Sequence, residues 1–168
     1  MFELKPISPE AIPAALAKAE RYRFLDEPRE AESICRDILR IDAKHPVAVV
    51  TLLLAITDQF GRGSEVTLKD ARAVLPHLRD EYERAYYSGV ICERWAKALL
   101  ARGIPGYDWF REAMVWYEKA EPLSPEGNDD AILRWNTCAR IIMRHAEYRP
   151  QPDDMTVEPG FDDEVPLL

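Results

Sequence analysis

The sequence predicts an all-α fold, an array of about three antiparallel helical pairs closed by a C-terminal helix. Apolar residues recur along most of the chain at the three- and four-residue spacing of amphipathic helices. The apolar pattern that follows residue 26 returns after residue 112, which indicates a repeated unit. Pro- and Gly-containing stretches separate the periodic segments and predict where each helix ends.

The clearest helix lies within residues 26–46. Asp26 or Glu27 supplies its start, because Pro28 at the first helical position loses only a backbone donor that had no partner. One apolar stripe along this helix is formed by Ala31, Ile34, Cys35, Ile38 and Ile41.

A second stripe has the same spacing at one constant offset. Each such unit has an apolar face that it can bury only against the next unit, so a repeat is the economical interpretation. The second stripe is formed by Ala113, Trp116, Tyr117, Ala120 and Leu123.

The first helix of the chain begins at Ser8 or a few residues later, with Ser8 as its cap and Pro9 at the first position. Its apolar residues include Ala19 and Tyr22, three positions apart, and together with the helix of residues 26–46 it resembles a tetratricopeptide repeat. That repeat has a small residue and an aromatic three apart on its first helix, then small, large and small residues on its second. The stripe of the first helix is Leu16, Ala19, Tyr22 and Phe24, and the residues that match the repeat are Ala19, Tyr22, Ala31, Cys35, Ile38 and Ile41.

The resemblance extends over residues 8 to 147, with differences from the repeat pattern. Ala43 stands where the pattern prefers Pro, and Ala15 and Lys18 stand where it has Trp and Leu. The small-residue markers Ala31, Ala71 and Ala113 are spaced more widely than the family period of about 34 residues, which predicts expanded loops.

Residues 47–60 are apolar on nearly all sides, which is typical of a helix at the centre of a bundle. After the break at residues 61–64, Thr67 and Asp70 resemble a capping box, and Pro76 is expected to kink or end the helix they start. The apolar residues of that helix are Ala71, Val74, Leu75 and Leu78.

A long helix is predicted over residues 80–102, ended by Gly103. Gly89 in its middle costs about 1 kcal/mol relative to Ala, so we expect another helix to approach closely there. A helix over 108–122 follows, and the last helix begins at residues 124–125 or 128–130. The last helix carries Ile132, Trp135, Cys138, Ala139, Ile142 and Met143.

Residues 1–148 therefore form the helical domain, and residues 149–168 are expected to be an acidic, Pro-containing tail, extended or disordered. After Pro150 the chain has six acids and no Lys or Arg, so the tail carries most of the net charge of −8. The apolar end at residues 165–168 is either a frayed terminus or a segment that docks on this chain or on a neighbouring one.

The acidic balance argues against nucleic acid and anionic membranes as partners, because both need a positive field. No apolar run is long enough for a transmembrane helix, and the N-terminus lacks the pattern of a secretory signal. Cys35, Cys92 and Cys138 lie far apart on helical patterns, which predicts reduced, packed thiols in a cytoplasmic protein.

Catalytic and cofactor-binding motifs are missing from the sequence, so we expect neither an enzyme nor a bound metal or cofactor. His77 and Glu81 are one helical turn apart, but a hydrogen bond or ion pair explains that spacing better than a metal site. The alternative function is a small-ligand protein or enzyme with a pocket near Tyr86, Trp95 and Trp135.

The resemblance implies a scaffold that binds a protein or peptide in a groove lined by the first helix of each pair. Basic residues on the last helix suggest a partner with acidic groups, since guanidinium groups bind carboxylates through two hydrogen bonds. A third interpretation is a self-assembly module, which would make the protein a homo-oligomer. The candidate groove residues are Glu20, Arg23, Val50, Leu54, Asp58, Glu93, Lys97, Arg134, Asn136, Arg140 and Arg144.

Overall fold

The structure is a computed structural model that describes residues 2–63 and 65–145, so the prediction of an extended or disordered tail lies outside the described residues. Within them the chain forms seven α-helices and no strand, which confirms the all-α prediction. The helices are α1 (Ile12–Phe24), α2 (Pro28–Ile41), α3 (Pro46–Thr57), α4 (Leu68–Arg72), α5 (Glu81–Ala101), α6 (Tyr107–Ala120) and α7 (Asp130–Arg144).

The start of α1 differs slightly from the prediction. A 3₁₀ turn over Pro9–Ala11 precedes the helix, and the Ser8 side chain makes no capping hydrogen bond. Ala19 is fully buried, as its place in the predicted stripe requires. Phe24 was expected in the same stripe, but it is the last residue of α1 and its side chain is 90% exposed.

Helix α2 begins at Pro28, as predicted, with Glu27 in the capping position but without a side-chain cap. Asp26 does not cap the helix either, since its carboxylate accepts a hydrogen bond from Arg62 at 2.5 Å. Ile41 is the last residue of the helix and is exposed, so the prediction that it belongs to the buried stripe is wrong. The buried members of the stripe are Ala31, Cys35 and Ile38.

Helix α3 is the central helix that its composition predicts, with most of its side chains buried. Its neighbour α4 is only five residues long. The cause is Pro76, whose ring collides with the carbonyl four residues earlier in a helix, and that residue is Arg72, where α4 ends. Asp70 accepts hydrogen bonds from the backbone and hydroxyl of Thr67 at 2.8 and 2.7 Å, which fixes the start of α4.

Helices α5 and α6 pack closely across Gly89. A Cβ atom at Gly89 would lie 2.5 Å from Cε1 of Tyr117, so only glycine fits beneath this ring. The predicted close approach at Gly89 is therefore confirmed. Leu123 is the last residue of the second stripe and was expected to be buried, but it is exposed. It lies in a 3₁₀ turn after α6, so like Ile41 it stands at the end of its helical segment.

The last helix α7 starts at Asp130, the second of the two predicted starts, and packs on α6. Cys138 is fully buried and Ala131 nearly so. Ile132 and Met143 were expected on the buried stripe, yet they are 38% and 61% exposed because no described helix follows α7 to cover them.

The helices pack as successive neighbours. Helix α2 contacts α1 and α3, and α6 contacts α5 and α7. Helix α3 also contacts both α1 and α5. The buried side chains form two clusters, one centred on α1 to α4 and one on α5 to α7, and Leu54 and Tyr87 contact both. In the described part of the chain, no helix has the length and apolarity needed to cross a bilayer.

The three cysteines are buried and unpaired, as predicted. Burial is the largest cause that raises the pKa of each thiol, of Cys35, Cys92 and Cys138 alike, to about 12. Each thiol is thus protonated near neutral pH, and protonated thiols are poor nucleophiles.

The contact between Gly89 and Tyr117 predicts the effect of Gly89→Ala. We expect a loss of about 1 to 3 kcal/mol in the free energy of unfolding, measured by denaturant titration, because the new methyl group overlaps the ring. Helix propensity alone would favour the variant by about 1 kcal/mol. As a control, Gly89→Ala in a Tyr117→Ala background should be neutral or stabilising; equal losses in both backgrounds would contradict the proposed overlap.

Candidate functional site

Charged side chains from α1, α5 and α7, and from the residue that follows α3, meet on one surface of the protein. We call this surface the charged face. It consists of Arg23, Asp58, Arg94, Lys97 and Arg134, with the carboxylate of Glu93 beneath them.

Asp58 joins three helices on the charged face. Its carboxylate accepts a hydrogen bond from Nε of Arg23 on α1 at 2.8 Å and another from Nη1 of Arg94 on α5 at 2.5 Å. Because Asp58 directly follows α3, these two bonds connect α1, α3 and α5. Both ion pairs are partly exposed, so solvent screening reduces their contribution to stability.

Arg94 is also anchored by uncharged groups at the end of α3. Its Nη1 donates to the carbonyl of Leu54 at 3.0 Å and to the hydroxyl of Thr57 at 2.7 Å. Burial is the largest cause that lowers the pKa of Arg94, and the charge of Asp58 opposes it. The charges of Arg23 and Arg134 lower it further, which means that guanidinium groups from three helices lie near one another.

Glu93 has a side chain with no exposed surface, although it is ionisable. Its carboxylate accepts a hydrogen bond from the hydroxyl of Tyr117 at 2.6 Å. Nη1 of Arg134 lies 3.2 and 3.3 Å from its two oxygens, and Lys97 forms an ion pair with it one turn along α5. Residues of α5, α6 and α7 thus share a single carboxylate.

These partners decide the ionisation of Glu93. Burial is the largest single influence and raises its pKa, but the hydrogen bonds from Lys97 and Tyr117 and the charges of Lys97 and Arg134 together outweigh it. The pKa of Glu93 therefore lies below its ordinary value, and the group is a buried anion at neutral pH. Burial, followed by the charge of Glu93, raises the pKa of Tyr117, so Tyr117 remains a donor.

The structure brings several predicted groove residues together. Arg23, Asp58, Lys97 and Arg134 belong to the charged face, whereas Glu93 lies below it. Glu20 is exposed on α1, three residues before Arg23. On α3, Val50 and Leu54 are partly exposed in a helix whose other faces are mostly buried.

The basic residues predicted on the last helix do not share one surface. At about 100° per residue, Asn136 and Arg140 lie roughly 160° and 120° around α7 from Arg134. Arg134 points toward Glu93, while Arg140 is exposed and forms no ion pair with the described residues. Arg144 is also exposed and unpaired within the same part of the chain.

Arg94, Tyr117 and Phe24 were not recognised as candidates for the groove. Arg94 neighbours Glu93 in sequence, but its partners are 36 and more positions away, so no local pattern reveals them. Tyr117 carries the one available signal, since it occupies the position of Cys35 in the repeated stripe and is a far larger residue with a hydroxyl group.

The three aromatics of the alternative pocket are divided between the two buried clusters. Trp95 packs edge-on against Phe60 within the first cluster, with the two ring centroids 5.2 Å apart. Trp135 packs in the second cluster and donates a hydrogen bond to Glu118 at 2.9 Å. Tyr86 also belongs to the second cluster, where its ring contacts other tyrosines.

His77 lies at the edge of a cavity of about 380 Å³ between α2, α3 and α4. Its walls are mainly apolar, and its charged lining residues Arg36 and Asp70 already bond to Glu32 and Thr67. Among residues 2–63 and 65–145, no three His, Cys, Asp or Glu side chains are grouped to hold a metal ion.

The hydrogen bond between Tyr117 and Glu93 predicts the effect of Tyr117→Phe. This variant keeps the ring above Gly89 and removes only the donor, so we expect a loss of about 2 kcal/mol in the free energy of unfolding. The matched control is Tyr107→Phe, because Tyr107 is a partly buried tyrosine of the same helix with no hydrogen bond from its hydroxyl to the described residues. Equal losses in the two variants would refute the special role of this bond.

Comparison of the chain with protein-family models, with curated proteins and with solved structures finds no significant match.

Proposed function

We propose that the chain is a scaffold of the tetratricopeptide type that binds an acidic segment of a partner protein on the charged face. The pairing of α1 with α2 and of α5 with α6, and the row of contacts from α1 through α3 to α5, support the repeat assignment. In such an array the first helices of successive pairs line one surface. The charged face is formed by α1 and α5, by the residue that follows α3, and by the closing helix α7.

The observation that carries the proposal is the balance of charge on this surface. Four cations share two carboxylates. Arg23 and Arg94 pair with Asp58. Lys97 and Arg134 pair with Glu93. Lys97 is 43% exposed and Arg134 32%, whereas Glu93 is completely covered. The accessible charge around Glu93 is therefore positive, in a protein whose net charge is −8.

The guanidinium groups have donors left for a ligand. Arg23 uses Nε for Asp58, so its two terminal nitrogens lie outside this bond. Arg134 uses Nη1 for Glu93 and Nε for the hydroxyl of Tyr86 at 3.4 Å. A guanidinium has five N–H donors and matches the two oxygens of a carboxylate, so a Glu or Asp side chain is the chemistry that fits.

Apolar groups next to these cations extend the surface. Phe24 follows Arg23 directly and is 90% exposed, and Val50 and Leu54 are partly exposed on α3. Exposed aromatic and aliphatic side chains can each anchor an apolar residue of the partner. The proposed ligand is accordingly a peptide with several Asp or Glu and at least one large apolar residue.

Binding should be tested by fluorescence anisotropy with a labelled peptide rich in Glu that contains one Leu, and with its Gln counterpart. We expect the Glu peptide to bind more tightly and its affinity to fall as salt rises, because added ions screen exposed charges. The double variant Arg23→Gln with Lys97→Gln should weaken binding about tenfold, the equivalent of about 1.4 kcal/mol.

The matched control is Lys18→Gln with Arg40→Gln, which removes the same two kinds of charge from exposed positions of α1 and α2. It should leave the affinity unchanged, and circular dichroism should show that all variants remain folded. Equal binding of the Glu and Gln peptides, or an equal loss in the control variant, would exclude the charged face as an acidic-peptide site.

A further inference from the structure

The outward side of α7 is an apolar surface on the last described helix. Leu133 and Met143 are each 61% exposed and Ile132 is 38% exposed, on the side of α7 opposite the buried Cys138. Asn136 and Arg140 lie between them on the same side, at about 100° per residue. This outer surface of α7 is distinct from the charged face, to which α7 contributes Arg134.

The charges at the two ends of α7 are opposite and unpaired. Asp129 and Asp130 lie at its N-terminal end, and Arg140 and Arg144 lie toward its C-terminal end. All four are exposed, and none forms an ion pair with another described residue. A surface with acids at one end, bases at the other and apolar side chains between is complementary to itself when one copy is reversed.

We infer that two copies of this chain associate through α7, with the two helices antiparallel about a two-fold axis. Closed dimers of this kind use the same surface on both subunits. The inference does not depend on the proposed binding of an acidic peptide, because the two surfaces lie on different sides of α7.

The positions of the exposed side chains fix the register. Residues 133 and 143 are equidistant from residue 138, so a two-fold axis at that level places Met143 of one copy against Leu133 and Ile132 of the other. The same axis places Arg140 opposite Asn136 of the second copy. Arg144 then lies within one turn, about 5 Å along the axis, of Asp129 and Asp130 of the second copy.

The expected strength of this dimer follows from its size. Helix α7 has 15 residues and is therefore about 22 Å long. One pair of such helices buries less than the roughly 1,200 Å² of a standard interface, so the dimer should be weak and dependent on protein concentration.

Sedimentation velocity of the full chain over a wide concentration range tests the inference. We expect the mass to approach twice the monomer mass at high concentration. Leu133→Glu should weaken the dimer at least about tenfold, because it buries a charge in the apolar contact. The control Leu123→Glu introduces the same residue at an exposed leucine outside α7 and should leave the dimer intact.

A charge exchange tests the antiparallel arrangement. Arg144→Glu should weaken the dimer, and adding Asp129→Lys should restore part of the loss, since the two positions attract again across the interface. Failure of this rescue would overturn the proposed register.

A full chain that stays monomeric at every concentration would overturn the inference. A chain that dimerises only after removal of residues 149–168 would also overturn it, because the tail would then be the segment that covers α7.

Discussion

The buried carboxylate of Glu93 is the constraint on which the C-terminal half of the structure depends. An ionised group without exposed surface is costly unless charged and hydrogen-bonded partners surround it. Here the partners come from three helices: Lys97 from α5, Tyr117 from α6 and Arg134 from α7. Tyr117 can reach Glu93 because its ring lies directly over Gly89, where any other residue would hold α6 away.

Asp58 has the corresponding role between the two halves of the protein. It ties Arg23 of α1 and Arg94 of α5 to the end of α3, while Leu54 and Tyr87 connect the two buried clusters below. These ion pairs combine four cations with two carboxylates, and Lys97 and Arg134 keep the largest exposed fractions of these groups while Glu93 is covered. The positive character of the charged face is thus a result of how the helices are held together.

The sequence was sufficient for the helices and for part of the core. Proline at position 28, glycine at 89 and 103, and the apolar stripes predicted α2, α5 and the buried cysteines, since each of these signals depends on residues close in sequence. Expectations were wrong at the edges of the stripes, at Phe24, Ile41 and Met143, because periodicity alone does not show where the neighbouring helix ends. The early end of α4 could have been predicted from Pro76, because a helical proline clashes with the carbonyl four residues earlier, which is that of Arg72.

The candidate site was only partly predictable. Polarity and the family resemblance selected Arg23, Asp58 and Lys97, but they also selected Glu93 as a groove residue, whereas it lies beneath the surface. Its partners Tyr117 and Arg134 are 24 and 41 positions away, and no local pattern encodes pairs at such distances. The separation of Arg140 from Arg134 could have been found from the helical angle alone.

The most direct test of the role of Glu93 is a carbon-detected NMR titration of its side-chain carboxyl in the folded chain. The pKa of Glu93 should lie below its ordinary value of about 4.3. The ionised Glu93 carboxylate then stabilises the fold above that ordinary value, and this stabilisation is lost as the pH falls through the folded pKa. The Tyr117→Phe variant should raise this pKa, because it removes a donor to the ionised form. A Glu93 carboxyl that titrates at or above its ordinary value would contradict the account.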